Sequence, residues 1–155
     1  MIKINDKIFI PNYGAGIVLA MGLRSFHEIE KEYVIIHLVV DDMDLLIPMD
    51  RIETYKIRPI GNKTDIEKAL KILSQATDEL EINWSKRYRK NNNKILLGKV
   101  SEMCEVLRDL YYLQGKEELP AGEEKILLKV KHILASEIML LYEITIKEAY
   151  NKLEI

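Results

Sequence analysis

Hydrophobic positions change their period near residue 60. Up to Pro59 they come in short bursts at residues 8–10, 17–19, 33–36, 38–40 and 45–47. These runs are rich in β-branched or aromatic residues and have the length of strands. Turn chemistry separates them: Pro11-Asn12-Tyr13-Gly14-Ala15-Gly16, a polar loop over residues 25–31, and a tight turn at Asp41-Asp42. The expected object over residues 1–60 is a small, strongly bent antiparallel sheet or half-barrel of about five strands.

After Pro59 the spacing becomes helical. Gly61-Asn62-Lys63 reads as a linker, and Thr64-Asp65-Ile66-Glu67 as a capping box, which places a domain boundary near residue 61. Ile66, Ala69, Leu70 and Leu73 then recur at helical spacing. Asn83 caps a second helix running to about Gly98. A third spans roughly residues 100–114, with Met103, Leu107, Leu110 and Tyr111 apolar and Gly115 as its stop. Glu123-Glu124 opens a long fourth helix to about Tyr142, with negative charge at the positive end of the helix dipole. Thr145-Ile146-Lys147-Glu148 is a second capping box, starting a last short helix. The fold class is α+β: a β domain over 1–60 and a five-helix bundle over 61–155.

Composition removes several function classes. With 48% apolar and 31% charged residues, the 155-residue chain folds as one large domain or two small ones. A formal charge of -2 excludes a diffuse polycation, so any nucleic-acid contact is local. The single cysteine, Cys104, excludes an internal disulfide. Neither a signal peptide nor an apolar run near the roughly 18 residues of a membrane span is visible, so a cytoplasmic, membrane-independent protein is expected.

Catalytic chemistry is not legible. His27, His37 and His132 lack metal-ligand spacing, and Cys104 on an apolar helix face reads as a core residue. Gly14-Ala15-Gly16 lacks the remainder of a phosphate loop, and Asp41, Asp42 and Asp44 lack the length and bidentate Glu of a calcium loop. No acid, base and nucleophile converge, so no enzyme activity, cofactor or metal is expected.

One charged segment stands out. Between Glu81 and Glu102 there is no acidic residue, while Lys86, Arg87, Arg89, Lys90, Lys94 and Lys99 fall inside it. At about 100° per residue from Trp84, the cations Lys86, Arg87, Lys90 and Lys94 share the arc from about 200° to 300°, whereas Arg89 sits apart near about 140°. Trp84 takes the first helical position after Asn83. A helix N-terminus, neighbouring cations and a projecting ring suit phosphates and a minor-groove wedge, without sequence-specific readout. The alternative is a solvated basic face with Trp84 in the core.

The strand ending Leu45-Leu46-Ile47-Pro48 is apolar on both faces and closed by a proline, as edge strands often are. Either a partner's strand covers it or it is buried in the small barrel. A protein-only adaptor, binding a partner through this edge while the basic helix stays solvated, is the alternative to a nucleic-acid role.

Asp6-Lys7-Ile8-Phe9-Ile10-Pro11-Asn12-Tyr13-Gly14-Ala15-Gly16-Ile17-Val18, Glu32-Tyr33-Val34-Ile35 and Leu45-Leu46-Ile47-Pro48 resemble the RNA-polymerase-interacting domain of CarD/CdnL proteins. That domain is shared with transcription-repair coupling factors. Asn83-Trp84-Ser85-Lys86-Arg87-Tyr88-Arg89, Val106-Leu107-Arg108-Asp109-Leu110 and Leu119-Pro120-Ala121-Gly122-Glu123-Glu124 resemble the CarD/CdnL helical domain. The match spans almost the full chain in the family's order, and its second half selects CarD/CdnL over the coupling factors.

The resemblance implies a Tudor-like barrel that binds the β subunit of bacterial RNA polymerase through an edge strand. Its helical domain would contact promoter DNA at the upstream fork of the bubble and stabilise the open complex. Carried over by position, Trp84 is the wedge, and Lys86, Arg87 and Arg89 are backbone contacts. Lys90 and Lys94 are added from the helical wheel. The polymerase-facing residues map to Arg24, Leu45, Leu46, Ile47 and Pro48. Some members carry a basic residue where Leu46 stands, which implies fewer polar contacts to polymerase here. A monomer, associated with the nucleoid through polymerase, is expected.

Overall fold

The computed structural model describes residues 2–77 and 79–154. Strands β1 (Lys7–Ile10), β2 (Gly14–Phe26), β3 (Ile29–Leu38), β4 (Met43–Pro48) and β5 (Arg58–Pro59) form one antiparallel sheet in the order β4-β3-β2-β1-β5. Helices α1 (Lys63–Leu70), α2 (Trp84–Leu97), α3 (Val100–Lys116), α4 (Ala121–Tyr142) and α5 (Ile146–Lys152) follow. Short 3-10 helices at Met49–Tyr55 and Lys71–Ser74 join these elements. The α+β class and the five-stranded antiparallel sheet agree with the sequence reading.

Several local expectations are corrected. Residues 25–31 are not a loop: β2 and β3 continue as a hairpin arm that reverses at His27 and Glu28, both at positive φ (51° and 67°). Residues 38–40 are not a separate strand, because β3 ends at Leu38 and Val39 turns to pack against the helices. The fifth strand is instead the short Arg58–Pro59 segment paired to β1. Helix α1 starts one residue before Thr64, so its cap is Asn62, whose Oδ1 accepts the Asp65 N–H at 2.8 Å. Gly115 lies inside α3, which continues to Lys116. The Thr145 capping box forms as expected, with both reciprocal hydrogen bonds.

Two apolar clusters organise the molecule. Ile8, Ile10, Val18, Val34, Ile36, Leu38 and Ile47 fill the concave side of the sheet under the Met49–Tyr55 3-10 helix. A bulge near Leu19 bends β2 around that cluster. Phe9 and Ala15 face the other way and join the helical core with Val130, Ile133 and Leu134 of α4.

Polar contacts lock the two parts together. Arg58 on β5 makes a two-bonded fork with buried Glu137 of α4 (2.8 and 2.9 Å), donates to the Gly98 carbonyl, and stacks on the Phe9 ring at 4.2 Å. Ser136 Oγ accepts the Ala15 N–H at 2.9 Å, and His132 Nε2 lies 2.6 Å from Asp41 Oδ1. Buried ion pairs are sensitive to misplacement, so these contacts set the orientation of the sheet against α4 and the end of α2.

Candidate nucleic-acid interface and sheet edge

Helix α2 begins where Asn83 Oδ1 accepts the N–H groups of Ser85 and Lys86 at 3.0 and 3.2 Å. It ends at Gly98 in the left-handed conformation, φ 73°. Trp84, the first helical residue, is 57% exposed, and Ile82 before it is 94% exposed. The two form an apolar tip outside the bundle, which removes the alternative of a core Trp84.

The six clustered cations separate into different environments. Lys86, Arg89 and Lys90 are exposed and have no ion-pair partner among the described residues. Lys94 is half-buried beside Glu105 at 3.5 Å, and Lys99 pairs with Glu102 at 3.8 Å. Arg87 is buried: its Nε donates to Glu123 Oε2 at 2.6 Å, its Nη2 to Glu123 Oε1, and its Nη1 to the Glu81 carbonyl at 2.9 Å. The hydrogen bond to Glu123, aided by that carboxylate's charge, raises the Arg87 pKa despite the cost of burial.

This corrects the expected cation face. The buried side of α2 carries Arg87, Asn91 and Ile95, so the arc that grouped Arg87 and Lys94 with the other cations straddles the flank of the bundle. The solvent face is centred near about 180°, and it holds Lys86, Lys90 and the seemingly isolated Arg89 together. Arg87 instead holds the helix start in place. Glu123, which sequence reasoning credits only with a dipole role, is its fully buried receptor. Gly122 completes the seat, since a Cβ there would come within 3.3 Å of the Tyr88 ring. The two separate motifs around Trp84 and Pro120 thus dock on one another.

The sheet edge divides in a similar way. β4 is an edge strand, paired only to β3. Register and alternation put Leu46 and Pro48 on one face, with Arg24 further out on the same face of β2. Leu46 is 42% exposed, and Ile35 and Tyr33 extend the apolar surface beside it. Leu45 and Ile47 turn to the opposite face; Ile47 is buried in the sheet's own core, with Leu45 packed against it. Leu46, Pro48 and Arg24 are therefore the members of this set left open on the outer face, while Ile47 holds β4 against the sheet's own core.

Two of the three histidines also acquire partners that their spacing does not reveal. His37 Nδ1 lies 2.8 Å from Asp44 and His132 contacts Asp41, so the turn carboxylates anchor β4 and α4. Cys104 is fully buried in the helical core, where desolvation pushes its thiol up to about 12. Among the described residues no helix is long and apolar enough to cross a membrane.

Residues 2–61 match the family model for the CarD-like/TRCF RID domain, and residues 68–154 match that for the CarD C-terminal domain. The chain is 31% identical over 148 residues to a Bacillus subtilis (strain 168) protein named "Putative transcription factor YdeB". That alignment covers 96% of this chain and 97% of the relative.

Proposed function

The chain belongs to the CarD family of transcription regulators that interact with RNA polymerase, and from that premise we propose that it stabilises the promoter open complex. The β domain binds the polymerase β subunit through β4 and the Leu46 face. The start of α2 meets the upstream fork of the bubble, with Trp84 as a minor-groove wedge and Lys86, Arg89 and Lys90 on phosphates. The protein acts by binding alone and performs no chemistry.

The observation that carries this reading is an exposed Trp84 on a helix start fixed by a buried ion pair, beside three cations with no ion-pair partner among the described residues. A chain of net charge -2 is a poor free-standing DNA ligand. Docking on polymerase raises the effective concentration of α2 at the fork, so a few phosphate contacts suffice. A wedge that fits open DNA better than closed duplex shifts the equilibrium, and a preference of about 1.4 kcal/mol changes the open-to-closed ratio tenfold.

The test is promoter opening by the cognate polymerase with and without this protein. Wild type prolongs the open complex. Trp84→Ala loses that effect while still binding polymerase, and Leu46→Glu loses polymerase binding while the fold survives. Unchanged opening with Trp84→Ala overturns the wedge and favours a protein-only adaptor.

A further inference from the structure

A cleft of about 420 Å³ lies between the β1–β2 turn, the Met49–Tyr55 3-10 helix and the C-terminal end of α2. Arg51 and Lys56 line it, with Asn12, Tyr13, Thr54 and Leu96, and no carboxylate does. Neither cation has an ion-pair partner among the described residues. Asn12 sits at positive φ (74°), and its buried Oδ1 has no hydrogen-bond partner in the protein. Lys56 is also left-handed (φ 53°), held there by its N–H bond to the Glu53 carbonyl. Two left-handed backbone positions thus shape a cleft whose only charged lining groups are cationic, on a molecule of net negative charge.

Its location gives the cleft meaning. Leu96 stands seven residues after Arg89, two turns further along α2 and rotated by only about 20°, so the cleft opens on the same side of the helix as Arg89. No acidic residue interrupts α2 between them. Cationic groups therefore stand at both ends of this side of α2, Arg89 near its start and Arg51 and Lys56 beside its end. A linear polyanion matches that arrangement, whereas a small free phosphate would use the cleft alone.

We propose that the β domain holds a second phosphate-binding site, in which Arg51 and Lys56 grip the backbone of the same duplex that α2 contacts. The inference rests on the DNA reading above. Trp84 and Leu96 are twelve residues apart, about 18 Å along the helix. With α2 laid along the duplex, as the proposal requires, about 3.4 Å per base pair puts the second site roughly five base pairs upstream of the wedge.

The experiment measures binding of polymerase carrying the full-length protein to fork-junction promoter DNA across a salt series. One DNA has a long upstream duplex and the other only about three base pairs, too short to reach the second site at that spacing. On the long duplex, Arg51→Gln with Lys56→Gln is expected to reduce the slope of log affinity against log salt by about 1.8, for two lost phosphate contacts. On the short DNA the same variant should match wild type. Arg89→Gln with Lys90→Gln should reduce the slope on both, and Lys147→Gln with Lys152→Gln on α5 on neither.

If Arg51 and Lys56 have no effect on the long duplex while Arg89 and Lys90 do, the second site is overturned and the α2 contact stands. If neither pair changes the slope, the DNA reading itself fails. A loss of equal size on both DNAs overturns the second site too, because weakened docking on polymerase would act without regard to duplex length. An equal loss from the α5 pair also overturns it, in favour of bulk charge.

Discussion

Arg87 on α2 and Glu123 on α4 form a buried, two-bonded ion pair that ties the first turn of one helix to the first turn of the other. Arg87 also bonds the Glu81 carbonyl, so the chain before Asn83 is fixed by the same guanidinium. Trp84 stands between these two anchors. Removing one partner strands a buried charge, and even Lys cannot reproduce a planar fork with a third bond. Arg87→Lys should therefore lower stability by about 2–3 kcal/mol, by denaturant unfolding, and shorten open-complex lifetime. Arg87→Gln also removes the charge, and because Arg87 is buried against Glu123 that variant's salt slope should stay at the wild-type value. A slope reduced by about one unit would return Arg87 to the DNA backbone.

What is legible in the sequence is what local chemistry decides. Asn83 and Thr145 cap helices with their own neighbours, so both starts can be read from a few residues. The edge status of β4 is signalled by Pro48, which lacks an N–H for a further ladder bond. Arg87 misleads because its partner is 36 residues away, and a helical wheel does not say which arc faces the bundle. Arg89 misleads for the same reason in reverse. Thr64 competes with Asn62 because both are good caps and a box needs only spacing, whereas packing of Ile66 and Ala69 fixes the helix phase. The basic cleft is illegible, since Asn12, Arg51 and Leu96 meet only in three dimensions.

The β2–β3 hairpin hides from the sequence because its two-residue turn uses His27 and Glu28 where left-handed geometry favours Asn and Gly. Both side chains strain the backbone. His27→Asn with Glu28→Gly should stabilise the arm by about 1–2 kcal/mol, seen as slower amide exchange over residues 23–32. Unchanged exchange would mean that the Phe26–Tyr33 contact, with ring centroids 5.3 Å apart, already limits opening of the arm.

Two glycines should respond oppositely to alanine. Gly98 is left-handed, and a Cβ there would sit 2.9 Å from Pro11 Cγ, where α2 meets the β domain. Gly98→Ala should cost about 2–3 kcal/mol by combining backbone strain with overpacking. A methyl group added at Gly115 would meet nothing within 4 Å, and the residue lies inside α3, so Gly115→Ala should stabilise by about 0.5–1 kcal/mol. Chemical denaturation of both variants checks the pair, and equal signs would contradict the assigned environments.

Cys104 provides a pH signature of the helical core. Burial pushes its thiol up to about 12, with Glu137 and Glu105 adding to the rise. An unfolded thiol titrates near about 8.5, so between these values the folded state holds a proton that the unfolded state has lost. The thiol's contribution is complete below about pH 8 and declines as pH rises, by up to about 1.4 kcal/mol per unit, until the folded thiol ionises. Cys104→Ala removes that slope and leaves a small cavity costing about 1 kcal/mol. Wild type should therefore be the more stable protein at about pH 7.5, with the difference shrinking and then reversing by about pH 10. Tyr111 and Tyr150, also raised by burial, are common to both proteins and cancel in the difference. Urea unfolding under reducing conditions across that range measures it, and a difference independent of pH would show that Cys104 is not sealed in the core.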